Sequence, residues 1–173
     1  MAKTELAVFG AGCFWCSEAT FKMVPGIIKV TPGYAGGNIA EPSYDLVSTG
    51  TTGHTEVVEL EYDPTKISYQ QLLDIFWKIH DPTTFNRQGN DIGPQYRSII
   101  LWTNQRQKEL AEAAKKEQAS HFTMPIVTEI KPLEIFYGAE AEHHNYFEKH
   151  PDQAYCKAVI VPKIVKLQKF LDQ

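Results

Sequence analysis

Apolar runs of strand length and amphipathic stretches of helix length alternate along this chain in the order β-α-β-β-α-β-α-β-α, and that order restricts what it can become. Residues 4–10 read as a short strand ending in glycine, 14–24 as a helix stopped by Pro25-Gly26, and 27–30 as a second strand. Residues 55–62 alternate about a valine pair and close on Asp63-Pro64. The stretch 68–80 is an amphipathic helix with Ser68 as N-cap and Leu72, Leu73, Ile75, Phe76 and Ile79 on its apolar side. Residues 96–103 form a strongly apolar strand, and Asn104 caps a charged helix to about residue 120. A strand at 126–130, a helix at 139–149 and a last helix at 164–171 complete the series. The series predicts an α+β fold, its helices packed on a mixed, largely antiparallel sheet.

Two segments fit neither period. Residues 31–53 and 81–95 are rich in Gly, Pro, Thr and Asn and read as long irregular loops meeting on one face. Loops of that length inside a compact unit usually carry function. No repeat or linker divides the chain, so its 173 residues predict one domain, 1–173. Its segment from about residue 151, between Pro151 and Pro162, reads as mobile.

Composition narrows the class. Apolar residues at 43% and charged residues at 22% describe an ordinary globular chain. A net charge of −4 argues against nucleic-acid binding. No apolar run approaches the roughly 18 residues of a membrane span, and Met1-Ala2-Lys3-Thr4-Glu5 opens no signal peptide. A soluble, cytoplasmic protein is the expectation. Three cysteines are too few for a disulfide scaffold.

The cysteines stand where chemistry is possible. Cys13, in Gly12-Cys13-Phe14-Trp15-Cys16, lies where a strand ends and a helix begins. The positive end of a helix stabilises a thiolate, so the Cys13 thiol is expected to be unusually acidic. The Cys-x-x-Cys spacing suits a dithiol redox pair, and the bulky Phe14-Trp15 between suits an apolar substrate group beside the sulfur. A structural zinc site lacks a fourth ligand of suitable placement. Glu56, in Gly53-His54-Thr55-Glu56, opens an apolar strand; burial there would raise its pKa and make it a proton donor near neutrality. Tyr44 from the first loop and Tyr96, which follows the Asp91-bearing second loop, offer uncharged hydroxyl donors to a substrate oxygen. Cys156 lies near the mobile end, beside Lys157, within possible reach of Cys13.

Together these residues resemble the peptide methionine sulfoxide reductase A family. Gly12-Cys13-Phe14-Trp15 is similar to its active-site signature, and Gly33-Tyr34-Ala35-Gly36-Gly37, Pro42-Ser43-Tyr44 and Thr52-Gly53-His54-Thr55-Glu56 to its second block. Tyr62-Asp63-Pro64, Asp81-Pro82-Thr83, Gln95-Tyr96-Arg97-Ser98 and Glu142-His143-His144-Asn145-Tyr146 follow in family order. Cys16 replaces a usual glycine; His144 takes the histidine position and His143 that of a tyrosine.

The resemblance implies a single-domain two-layer α/β sandwich with a ferredoxin-like core and long active-site loops. It implies reduction of methionine-S-sulfoxide, free or in oxidised proteins, with no cofactor and no metal. Cys13 would attack the sulfoxide sulfur and become a sulfenic acid. Phe14 and Trp15 would hold the S-methyl group, and Glu56 would donate to the oxygen, with Tyr44, Tyr96 and Asp91 in support. A second thiol would close a disulfide that thioredoxin reduces. Cys156 is the favoured resolver and Cys16 the alternative. A general thiol–disulfide oxidoreductase built on Cys13 and Cys16 is the competing reading.

Overall fold

The computed structural model describes residues 3–173. Strand β1 (Glu5–Ala11) leads into helix α1 (Phe14–Phe21) and strand β2 (Ile27–Ala35). The short helix α2 (Tyr44–Ser48), strand β3 (Thr55–Tyr62) and helix α3 (Tyr69–Ile79) follow. A small hairpin, β4 (Arg87–Gln88) with β5 (Asp91–Ile92), precedes strand β6 (Ser98–Trp102) and helix α4 (Gln105–Gln118). Strands β7 (Glu129–Pro132) and β8 (Tyr137–Gly138), the short helix α5 (Tyr146–Lys149) and helix α6 (Val161–Leu171) complete the chain.

The main sheet runs β7-β6-β1-β3-β2-β8. Its four central strands are antiparallel in the order of a ferredoxin-like βαββαβ unit, and only β6 and β7 pair in parallel. Pleating sorts the side chains. Ala7, Phe9, Val58, Leu60, Tyr62 and Ile100 face the helices and join Phe14, Phe21, Leu72, Leu73 and Phe76 in the main core. Val8, Val57, Ile99 and Leu101 face the other way, beneath Leu133 and Phe136. Each fully buried side chain of this size contributes on the order of 1.5–3 kcal/mol. Ser68 and Gln71 close a capping box at the start of α3, and the Asn104 side chain caps α4.

Several elements differ from the sequence reading. Strand β2 continues through Pro32 and Gly33 to Ala35, five residues into the expected loop. Gly33 permits this, because a Cβ there would collide with the Phe136 ring and the Tyr137 carbonyl of the flanking segment. The expected strand at 126–130 is shifted to Glu129–Pro132. The expected helix at 139–149 is two pieces, a 3₁₀ turn Ala141–His143 and α5, broken at Asn145 with φ +56°. The Asn145 N–H donates to the buried Glu18 carboxylate at 3.0 Å and holds that break. At the C-terminus the last helix starts earlier, with a π-helical turn Cys156–Ile160 running into α6. Among the described residues no helix is long and apolar enough to cross a membrane.

The two long segments do meet. Arg97 donates to the Gly53 carbonyl at 2.9 Å, and Gln95 to the Ser48 carbonyl at 3.4 Å. Gly12, at φ +94°, turns β1 into α1 directly against Gln88 of the hairpin; a Cβ there would lie 2.7 Å from its Cγ.

Candidate active site

Cys13 is the N-cap of α1, and its side chain caps nothing. The first helical N–H, that of Phe14, instead donates to Glu56 Oε1 at 3.0 Å. Register explains the meeting. Glu56 is the second residue of β3, on the face that also carries Val58, Leu60 and Tyr62 towards the helices. It pairs with Tyr34 across β2 and points at the start of α1. It is 1% exposed, and burial pushes its carboxyl up to about 8, against the pull of the Phe14 N–H. Asp91 and Cys16 raise it further. Glu56 is therefore mostly a neutral acid near pH 7, as the sequence reading expected.

The expectation for Cys13 is reversed. The thiol is 8% exposed, and burial raises it well above its ordinary value, reinforced by the hydrogen bond to Cys16 and by the Glu56 charge. The helix end does not reverse this, because its first amide is taken by Glu56. The acidic thiol is Cys16, lowered first by the hydrogen bond from Cys13 and then by Lys163.

Aromatic rings build the surroundings. Phe14 lies 5.6 Å from Tyr34, 6.3 Å from Tyr44 and 5.4 Å from His143, centroid to centroid. Trp15 stacks flat on Tyr146 at 3.7 Å and meets Tyr155 edge-on at 5.9 Å. Tyr44 is pushed up to about 12 by burial and the Glu56 charge, and burial raises Tyr96 beside Glu56 and Cys13. Both hydroxyls keep their protons throughout the working range. The Tyr155 hydroxyl donates to Asp91 Oδ2 at 2.6 Å and lies 3.8 Å from Cys16 Sγ.

Eight of the nine residues singled out from the sequence thus converge: Cys13, Phe14, Trp15, Cys16, Tyr44, Glu56, Asp91 and Tyr96. Cys156 stands one layer behind. It is fully buried, clustered with Cys16, Ala19 and Ile160, and the thiol it faces is Cys16. Burial raises its pKa, so Lys157 does not make it acidic as the sequence suggested. His143, rather than His144, joins the site; His144 hydrogen-bonds the Ala139 carbonyl. Sequence reading also passed over Tyr146 and Tyr155, whose signal was aromatic residues spaced around the C-terminal Pro-bearing segment.

Among the described residues, Glu140, Glu142 and His143 bring three potential metal-ligand atoms within 4.8 Å of one another. Both Glu140 oxygens already accept bonds, from the Tyr34 hydroxyl and the Tyr44 N–H, and Trp15 occupies His143 Nδ1.

Residues 5–173 match the family model described as peptide methionine sulfoxide reductase. The chain belongs to that family. The family's members include the peptide methionine sulfoxide reductase MsrA of Nautilia profundicola, 55% identical over 167 residues that span 96% of each chain. The reduced form of Mxr1 from Saccharomyces cerevisiae superposes with a TM-score of 0.85 at 34% identity, over 89% of this chain and 90% of that one. Mxr1 in complex with Trx2 gives a TM-score of 0.60 at 27% identity, over 83% and 85%.

Proposed function

We propose that this chain is a peptide-methionine (S)-S-oxide reductase that acts on protein-bound or free methionine sulfoxide. The observation that carries the reading is the buried carboxyl of Glu56, 1% exposed and held by the Phe14 N–H at the mouth of the Cys13 site, where burial pushes it up to about 8. A sulfoxide oxygen is a poor leaving group until it is protonated, so a neutral acid beside a sulfur nucleophile suits this substrate. Family membership supports the substrate class, and the preference for the S epimer rests on the resemblance.

In the proposed step the substrate's S-methyl group sits against Phe14 and Trp15, its oxygen towards Glu56, with Tyr44 and Tyr96 as further donors. Cys13 bonds the substrate's sulfur while Glu56 protonates the oxygen and takes up the proton that the Cys13 thiol gives up. The oxygen is transferred to Cys13 as a hydroxyl, and methionine leaves. Cys13 is oxidised by two electrons to the sulfenic acid and the sulfoxide sulfur is reduced by two. Glu56, having given one proton and taken up another, ends protonated.

Cys16 then attacks the sulfenic acid, forming a Cys13–Cys16 disulfide, and water leaves with the Cys16 proton returned through Glu56. The Cα atoms of residues three apart on a helical turn lie about 5 Å apart, inside the Cα span of a disulfide. Cys156, packed against Cys16, displaces Cys13 and leaves a Cys16–Cys156 disulfide. The segment from residue 151 must then move to present that disulfide to thioredoxin. The Mxr1–Trx2 complex supports thioredoxin as the reductant, and a thioredoxin-driven cycle fits the cytoplasm.

The Cys13–Cys16 hydrogen bond also favours a second reading, general thiol–disulfide exchange. Methionine release from a sulfoxide peptide, compared with reduction of insulin, separates the two; insulin reduction without methionine release would overturn the first.

A further inference from the structure

Glu140 has no task in the proposed reaction, and it joins two elements of the site. Its carboxylate accepts from the Tyr34 hydroxyl on one oxygen and from the Tyr44 N–H on the other, each at 2.9 Å. Tyr34 is fully buried, lies opposite Glu56 in the β2–β3 register and packs its ring 5.6 Å from that of Phe14. Tyr44 is the first residue of α2. The backbone around Glu140 is itself held on both sides. The Ala139 N–H donates to the Pro32 carbonyl of β2 at 2.9 Å, and the His143 N–H closes the next turn on the Glu140 carbonyl at 3.0 Å. Glu140 therefore bridges the strand residue opposite the acid to the backbone of the proposed hydroxyl donor.

We infer that Glu140 is a positioning residue, which ties the Tyr44 backbone to the strand facing Glu56 and so sets the Tyr44 hydroxyl against the Glu56 carboxyl. The inference rests on the reading of Tyr44 as a donor to the sulfoxide oxygen. Helix α2 has five residues, far fewer than the roughly 12 a helix needs to hold its own shape. Ser43 caps it on the Leu46 N–H, a bond within the element that ties it to nothing else. Val47 is buried, and Gln95 reaches the Ser48 carbonyl at the far end across a long 3.4 Å bond. At the end that carries Tyr44, the Glu140 carboxylate supplies a direct tie to the sheet. Against burial, the Tyr44 N–H and the Tyr34 hydroxyl draw its carboxyl below the ordinary carboxylate range, so both bonds run to a charged acceptor, the stronger class. The Tyr44 hydroxyl lies at the far end of a long side chain. A small rotation of the α2 backbone would therefore sweep it through a larger arc, away from an oxygen it must meet closely.

The test is a double-mutant cycle on single-turnover methionine release from a sulfoxide peptide. E140A, which breaks both bonds, should slow release at saturating peptide about tenfold, the order of one hydrogen bond to a developing charge, while the half-saturating concentration changes less than about twofold. E140Q should recover most of the rate, because its amide oxygen can accept the Tyr44 N–H while its amide nitrogen donates to the Tyr34 oxygen. Y44F should be slow, and E140A should slow Y44F no further, since the hydroxyl that Glu140 places is gone. A merely structural role would cost the same factor with or without that hydroxyl. Such additivity would overturn the inference, as would a wild-type rate in E140A or an E140Q as slow as E140A. Should E140A fail to fold, Y34F, which removes one of the two anchors, goes through the same cycle with Y44F and decides by the same criterion. Y44F at the wild-type rate would remove the reading of Tyr44 itself, and Glu140's role with it.

Discussion

The Phe14 backbone N–H donates to Glu56 Oε1 at 3.0 Å, so the first amide of the helix that begins at Cys13 orients the buried acid and not the thiol. Burial raises the pKa of both groups, and the amide leaves Cys13 without a capping bond and one Glu56 oxygen free of that bond.

Loss of the Glu56 proton should stop the chemistry. Glu56→Gln keeps an oxygen for the Phe14 N–H but offers no transferable proton, so methionine release in a single turnover should slow by about 10²–10⁴-fold. Wild-type release should fall as pH rises through about 8, because the acid must be protonated to act. Stopped-quench measurement of methionine across pH checks both; a wild-type rate in the variant removes the acid role.

The same substitution should change stability with the opposite sign. The folded-state pKa of Glu56 lies near 8, above the ordinary carboxyl value of 4.5. Ionising it therefore disfavours the fold, by up to roughly 5 kcal/mol, as pH rises from about 4.5 to about 8. Glu56→Gln does not ionise, so its stability relative to the wild type should increase over that window. Urea unfolding at pH 5 and pH 9 reads the difference; an unchanged difference contradicts a buried neutral acid.

The order of the thiols is open to mass mapping after one equivalent of sulfoxide. Cys156→Ser should give a Cys13–Cys16 disulfide, and the wild type should give Cys16–Cys156. Cys16→Ser should leave the sulfenic acid on Cys13, because Cys156 packs behind Cys16. A Cys13–Cys156 disulfide formed at the wild-type rate in Cys16→Ser would show that Cys156 resolves directly.

Gly12→Ala tests the turn that presents Cys13. Its φ of +94° and the nearness of Gln88 strain any side chain there, so stability should drop by about 1–3 kcal/mol and methionine release with it. Thermal unfolding with a matched rate measurement checks this; an unchanged Tm would show that the turn relaxes freely.

Much of this architecture was legible in the residues, and the exceptions share a cause. Strands β1, β3 and β6 and the helices α1, α3 and α4 follow from local apolar period and caps such as Ser68 and Asn104. Cys13, Phe14, Trp15, Glu56, Tyr44, Asp91 and Tyr96 stood out because their motifs carry chemistry at fixed spacing. What local pattern could not show depends on distant partners. Pro32-Gly33 reads as a loop but lies in a strand, because β3 and the Phe136 segment flank it. The break at Asn145 depends on Glu18, 127 residues away. The reversal of the Cys13 pKa follows from its burial, with Glu56 brought beside it across the sheet, which a rule about helix ends cannot see. Choosing between His143 and His144 required knowing which of them meets Trp15.

The central claim is that the sulfur of Cys13 takes the sulfoxide oxygen. Its most direct test is a single exposure of the Cys16→Ser, Cys156→Ser double variant to a methionine sulfoxide peptide, with dimedone present to trap a sulfenic acid. The account predicts one methionine released per chain and one adduct, on Cys13, with neither when Cys13 is also changed to Ser. Methionine released by the variant without Cys13, or release with no adduct at that residue, would contradict it.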